Sequence, residues 1–311
     1  MPISEQMRKR RRSYIGSSDI PAILGISKFS NAADIWLSKT QTIEEEDETI
    51  GEGSPALVGT YLEEGILQWG MDQIKEVVYE GGVKVAKNQF RVKAGTNHSA
   101  NCDAVLSVDG IPTAVFEIKS TGDAEAWGRP MTSEIPDHVN AQVQWQMYVT
   151  DLDHAWVACL MSNKFGGMTF ALYTVGRDQG LIDMIVTLVD VFWVKHVETG
   201  EMPEGVVPRL DSHKRVRRTG DSFELDGESS VLFDNLCKQH EDRKKEASIA
   251  TKALQSSKSE LLSFIENTEG CESPTYMFSY APSFRKEYTV HAKEVRTFRL
   301  KTKKGDAQDN E

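Results

Sequence analysis

Cysteine is scarce: Cys102, Cys159, Cys237 and Cys271 are the four in 311 residues, and no two form a CxxC pair. That spacing suggests neither a zinc site nor an iron–sulfur cluster and leaves reduced thiols as the expectation. Long apolar runs are missing as well. The most apolar stretch, LIDMIVTLVDVFWVKH, is interrupted by Asp183 and Asp190, which suits an amphipathic helix better than a membrane span. In the opening MPISEQMRKRRRS no apolar core follows the charges. This argues against a secretory leader, so an intracellular, cytoplasmic protein with no membrane partner is expected. There is no GxxxxGK[ST] loop, hence no sign of an ATP-driven motor, and no internal repeat.

What is present fits a soluble globular protein of one or two domains, with 39% hydrophobic and 27% charged residues. The net charge of −11 is the wrong sign for a nucleic-acid binder, but its distribution matters more than its sum. Residues 8–12 read RKRRR, and RLDSHKRVRR at 209–218 carries five basic residues against Asp211. Residues 285–304 hold eight Arg and Lys against Glu287 and Glu294. Acid is concentrated elsewhere, notably in EEEDE at 44–48, read as a solvated loop. Basic patches on an acidic background permit polyanion binding.

The pattern predicts a short helix in SSDIPAILG, with Ser18 or Asp19 as its cap and Gly25 as its stop. A second helix is expected in NAADIWLSKT, and a third in GTYLEEGILQWGMDQIKEVV, where Leu62, Ile66, Trp69 and Ile74 fall at helical spacing. Two strands are expected at GGVKVA and NQFRVK. A β-hairpin should follow in ANCDAVLSVDGIPTAVFEIKS, turning at Asp109-Gly110. Next come a helix in DHVNAQVQWQMYVTD, strands in HAWVACLMS and MTFALYTVG, and an amphipathic helix over 179–199. This order defines an α/β layered domain. Composition shifts to Pro, Gly, Arg and Lys around 203–221, a domain boundary. Beyond it a polar helix over roughly 228–266, its apolar positions too sparse to define heptads, and short strand-like pieces at YMFSYA, FRKEYTV and RTFRL are expected.

The octapeptide AVFEIKST at 114–121 places Glu117 and Lys119 in an apolar strand. Strand side chains alternate, so the two charges share a face, and burying both is costly unless they are paired or bound. One reading is an edge-strand ion pair; the other is a catalytic carboxylate beside a catalytic cation. Asp103 lies fourteen residues before Glu117, and pairing of the two flanking strands would let both carboxylates converge. Two carboxylates with few competing ligands suit Mg²⁺, and Lys119 would supply a compact positive charge. Glu63 adjoins the apolar stripe of its helix and is a candidate third ligand, or else a solvated helix-edge residue. Gln142 and Gln146 share a helix face with Val139, Val143 and Met147. Such amides need partners, whether a metal-bound water, a sheet carboxylate or nearby backbone. His98, His138 and His154 are scattered and read as structural.

Taken together, IGSSDIPAILGISKFSNAADIWLSKT, GTYLEEGI, NCDAVL, FEIKST, HVNAQVQWQMYVTDLDHAWVACL and the Phe192-Trp193 helix resemble the YqaJ-like, lambda-exonuclease-type phage recombination nucleases. These belong to the PD-(D/E)xK superfamily. The resemblance runs over roughly residues 11 to 205. It implies an α/β, restriction-endonuclease-like core with a mixed central sheet flanked by helices over 1–205. A C-terminal helical and short-strand extension that contacts DNA would follow over 206–300, then a disordered tail over 301–311.

By the same resemblance, Asp103 and Glu117 match metal-binding carboxylates, Lys119 the catalytic lysine, Glu63 the helix carboxylate and Gln142 the first glutamine of the family's QxQ helix. Ser18, with Arg11 or Arg12, matches residues that hold a DNA 5′-phosphate. The family's usual proline before the metal-binding Asp is Cys102 here, a change that touches backbone shape and not chemistry. The implied activity is a Mg²⁺-dependent 5′→3′ exonuclease, with Mn²⁺ as a substitute ion. It would digest one strand of duplex DNA from its ends to 5′-mononucleotides and leave 3′ strands for an annealing protein. A homo-oligomer is implied, a ring trimer being one form, acting in the host bacterial cytoplasm if phage-encoded. A structure-specific or restriction-like endonuclease and a non-catalytic DNA-binding adaptor are the alternatives. FRKEYTVHAKEVRTFRLKTKK alternates aromatics and basics, as a DNA-contacting groove does, or as a small sheet with a solvated basic face would.

Overall fold

The computed structural model describes residues 12–41, 55–77, 82–162, 167–214, 216 and 220–280. The chain divides into two compact units, Met1–Arg218 and Thr219–Glu311. In the first, a short 3₁₀ turn, Ser17–Asp19, leads into helix α1, Ile20–Ile23, then α2, Ala32–Thr40, and α3, Pro55–Val77. Strands β1, Val83–Val92, β2, Ser99–Val108, and β3, Ile111–Thr121, form an antiparallel meander. Helix α4, Asp137–Thr150, crosses over to β4, His154–Ser162, which runs parallel to β3. Strand β5, Met168–Gly176, closes the sheet antiparallel to β4. Helices α5, Gln179–Phe192, and α6, Leu210–Lys214, follow, the former extended by a π-helical turn, Trp193–Glu198. The sheet order is β1-β2-β3-β4-β5, so the domain is α/β with a mixed five-stranded sheet, the class expected from the sequence.

Two apolar layers sandwich the sheet. On one face Ile20, Val139, Val143, Trp145, Met147, Ile185 and Val189 from α1, α4 and α5 pack with Val115, Val157 and Tyr173. On the other, Ile66, Leu67, Met71 and Ile74 of α3 pack with Leu106, Phe116, Ala158 and Leu172. Gly70 lets α3 come close: a Cβ there would lie 2.6 Å from Phe116 Cζ. The hairpin turns at Asp109 and Gly110, both with positive φ (52° and 84°), as a two-residue turn matching the strand twist requires.

Two local expectations are corrected. GGVKVA and NQFRVK form one strand, β1, because Asn88 takes up a left-handed conformation (φ 51°) without shifting the register: Lys87 pairs with Ala104 and Gln89 with Cys102. Neither Ser18 nor Asp19 caps α1 with its side chain. The Asp19 carboxylate instead accepts the Gly16 N–H at 3.0 Å and the Lys39 ammonium at 2.7 Å.

Asn31 and Asp34 tie α2 to the segment after α5. Asn31 donates to the Val207 carbonyl at 3.0 Å, and Asp34 accepts the Arg209 N–H at 2.7 Å. Among the described residues the second unit, taken by itself, has helix α7, Gly227–Ile265, and a two-stranded ribbon of β6, Gly270–Glu272, and β7, Met277–Ser279. The basic-aromatic stretch 284–304 and the expected tail over 301–311 lie outside the described residues. No helix among the described residues is long and apolar enough to cross a membrane.

Candidate active site

Strand β3 is the central strand of the sheet, which removes the edge-strand reading of its charge pair. Glu117 is 2% exposed, and burial without partners would be prohibitive. Its carboxylate has three donors. Lys119 Nζ bonds Oε1, Gln142 Nε2 donates to Oε1 at 2.7 Å, and Gln146 Nε2 donates to Oε2 at 2.7 Å. Gln142 closes a triangle by accepting from Lys119 Nζ at 3.0 Å. Both glutamines sit four residues apart on α4, one above the other on the face turned to β3. A carboxylate offers about four lone-pair sites, so one remains open on Glu117.

Asp103 stands where the β2–β3 ladder ends. The last pair on that side is Ala104 with Phe116. Beyond it the Ile118 N–H donates to Asp103 Oδ2 at 2.8 Å. Side-chain alternation slips here too: Ala100 and Cys102 belong to the α4 layer, whereas Ala104 and Leu106 belong to the α3 layer. Opposite the slip, β1 carries the left-handed Asn88. Asp103 therefore does not share a simple strand face with Glu117. It lines a cleft of about 140 Å³ on the α3 side with Glu63, Glu64, Lys87, Asn88 and Ile118, while Glu117 and Lys119 address α4 from the other side of the fork.

The charges nevertheless govern one another. Burial first, and then the negative charge of Glu117, push the Asp103 carboxyl up to about 8, with Glu63 adding to the rise. The Ile118 N–H and Lys119 work the other way. Burial opposes the Lys119 ammonium, but the charge and hydrogen bond of Glu117, with Asp103 behind them, more than offset it, so the Lys119 pKa is raised. Asp103 is thus the carboxyl on which the negative charge around it falls. Asp103 and Glu63 line the cleft and Glu117 lies on the α4 side of the fork; all three offer oxygens, the chemistry a hard divalent cation selects. Among the described residues no three acidic, histidine or cysteine side chains form one compact metal-binding group.

The remaining expected residues fall elsewhere or outside. Ser18 is exposed on the 3₁₀ turn and Arg12 is half-buried before it. Among the described residues no hydrogen bond or ion pair joins either to Asp103, Glu117 or Lys119. Arg11 lies outside the described residues. In the QxQ motif only Gln142 turns to the site. Gln144 faces away, donating to the Gly176 carbonyl at 2.9 Å and accepting the Asp178 N–H at 2.8 Å. Its place is taken by Gln146, found through helical spacing and not through the motif. His138, read as structural, stands one turn before Gln142. Burial, followed by the ammonium groups of Lys119 and Lys28, holds its imidazole below the ordinary histidine value.

Comparison with known proteins agrees with the resemblance. Residues 6–153 match the YqaJ-like viral recombinase domain family. A Bacillus subtilis (strain 168) relative, "Uncharacterized protein YqaJ", is 30% identical over 200 residues, covering 62% of this chain and 56% of the relative. The match therefore spans little more than half of that protein. Among solved structures, an alkaline exonuclease from Laribacter hongkongensis is similar at 20% identity and a TM-score of 0.44, covering 63% of this chain and 94% of that one. Its complex with dAMP gives 19% identity and a TM-score of 0.45 over the same shares.

Proposed function

We propose that this chain is a Mg²⁺-dependent deoxyribonuclease with a restriction-endonuclease-like core. It degrades one strand of linear duplex DNA in the 5′→3′ direction to 5′-mononucleotides. The remaining 3′ strand passes to a single-strand annealing protein in phage-type recombination. The observation that carries this reading is the buried Glu117, clamped on a central strand by Lys119, Gln142 and Gln146, with Asp103 electrostatically coupled to it at the sheet fork. A structural ion pair has no need of two further amides.

Asp103, Glu117 and Glu63 would hold the divalent ion, Mg²⁺ or Mn²⁺ in its place. When bound, such an ion supplies Lewis acidity toward phosphate oxygens and a more acidic water. Lys119, kept protonated by Glu117, presents a fixed cation to a non-bridging oxygen of the scissile phosphate. Gln142 holds Glu117 and Lys119 in register through one bond to each. Gln146 fixes the rotation of the Glu117 carboxylate from its other oxygen. Arg12, Ser18 and Arg11 are assigned to the 5′-phosphate on the family resemblance, which also supports the polarity and a homo-oligomeric, ring-forming assembly.

The test is digestion of linear duplexes bearing 5′-phosphate or 5′-hydroxyl ends beside nicked and closed circles, with and without Mg²⁺. The expected result is Mg²⁺-dependent release of mononucleotides from linear DNA, faster from 5′-phosphate ends, with closed circles spared. Cutting of closed circles would establish the endonuclease instead, and no release with any divalent ion would leave a DNA-binding adaptor.

A further inference from the structure

Helix α7 has 39 residues, about 58 Å at 1.5 Å per residue. Along that length only Ile265 is buried. Phe233, Leu236, Leu254, Leu261 and Phe264 are each between 47% and 80% exposed. Helices in folded proteins draw most of their stability from packing an apolar face, so this face calls for a covering surface.

The sequence of the face indicates which surface. Starting from Phe233 and Leu236, alternating steps of four and three residues reach Ala247, Ala250, Leu254, Leu261 and Phe264, with His240, Arg243 and Ser257 as the polar steps. These steps have the 3.5-residue period of a coiled-coil seam. They also form a near palindrome: read inward from either end they run aromatic, leucine, polar residue, one mismatched step, alanine.

We propose that α7 is a dimerisation element that pairs antiparallel with α7 of a second copy of this chain, about a two-fold axis between Ser248 and Ile249. In that register Phe233 meets Phe264 of the second copy and Leu236 meets Leu261. His240 meets Ser257, and Ala247 meets Ala250. The mismatch, Arg243 against Leu254, is tolerable because an arginine stem covers apolar surface while its guanidinium reaches water. An isologous contact needs such self-complementarity.

Charge selects both orientation and register. A parallel pair would place Arg243 against Arg243 within the seam. An antiparallel pair shifted by one heptad would oppose Lys244 to Lys244 and Glu246 to Glu246. The chosen register opposes Lys244 to Thr251, Lys258 to Cys237, Glu246 to Ala253 and Glu260 to Gln239, so no like charges meet. The inference rests on α7 alone and is independent of the nuclease reading.

The test uses the full chain under reducing conditions, by sedimentation over a wide concentration range. Concentration-dependent pairing is expected: a dimer of single chains, or a doubling of any ring the chains already form. Ala247→Glu with Ala250→Glu, which keeps helix-forming residues on an exposed face, should weaken it by at least about 100-fold by burying like charges at its centre. Orientation is read by oxidative cross-linking in a Cys237→Ser, Cys271→Ser background. A mixture of Leu236→Cys and Leu261→Cys chains should form a covalent dimer that neither chain forms alone. A chain monomeric throughout, an assembly indifferent to the double glutamate change, or cross-linking of Leu236→Cys with itself would each overturn the proposal.

Discussion

Asp103 and Ile118 are joined by a 2.8 Å hydrogen bond from backbone N–H to carboxylate, at the level where β2 and β3 cease to pair. The side chain thereby replaces a ladder acceptor the fork has withdrawn. Asp103→Ala should leave that donor unmet and cost about 1–3 kcal/mol in urea unfolding. Asp103→Asn keeps an acceptor where burial and Glu117 already disfavour a carboxylate charge, so its unfolding midpoint should match or exceed that of the parent.

Gln146 is wholly buried, and its amide is the sole hydrogen-bond donor to Glu117 Oε2 among the described residues. Gln146→Ala should lower stability by about 1.5–3 kcal/mol, the range for a lost bond to a charged group. It should also reduce nucleotide release, because the Glu117 carboxylate can then rotate. Full activity in a folded Gln146→Ala protein would remove Gln146 from the site.

At Gly70 α3 lies close on the sheet, with Phe116 Cζ 2.6 Å and Ala158 Cβ 3.1 Å from the place a Cβ would take. Gly70→Ala should destabilise by roughly 1–3 kcal/mol through overpacking, despite the better helix propensity of alanine. Because the same helix carries Glu63, activity should fall as well. An unchanged urea midpoint would show that the helix has room to shift.

His98 is 1% exposed. It bonds Asp190 at 2.9 Å and Tyr148 at 3.2 Å, and its ring lies 4.8 Å from that of Trp145. Lys93 lies over the Tyr148 ring at 5.1 Å. Burial outweighs the pull of Asp190, so the folded imidazole has a lowered pKa, and the unfolded chain binds the proton more readily. Its contribution to stability is therefore complete above the unfolded value of about 6.5 and is lost as pH falls through the folded one. Urea midpoints measured from neutral pH downward should decline more steeply for the parent than for His98→Gln; parallel curves would contradict this.

Much of this was legible in the residues. Asp109-Gly110 announced the hairpin, period-two alternation put Glu117 beside Lys119, and i, i+4 spacing set Gln142 and Gln146 on one face. The slip at Asp103 was not legible, because it arises where two strands part and no local pattern marks the last ladder pair. The continuity of β1 was hidden for a similar reason: Asn88 looks like a break in sequence but bends into the left-handed region without costing register. His138 gave no signal of its own, since its relation to Lys119 depends on how α4 lies across β3.

The most direct test of the central claim is the rate of nucleotide release from linear duplex DNA with Mg²⁺ by Asp103→Asn, set beside its urea midpoint. The account predicts a folded protein whose release is at least about 1,000-fold slower, as losing a central metal-binding carboxylate should cause. Release at the parental rate from an equally stable protein would show that Asp103 has no part in the reaction.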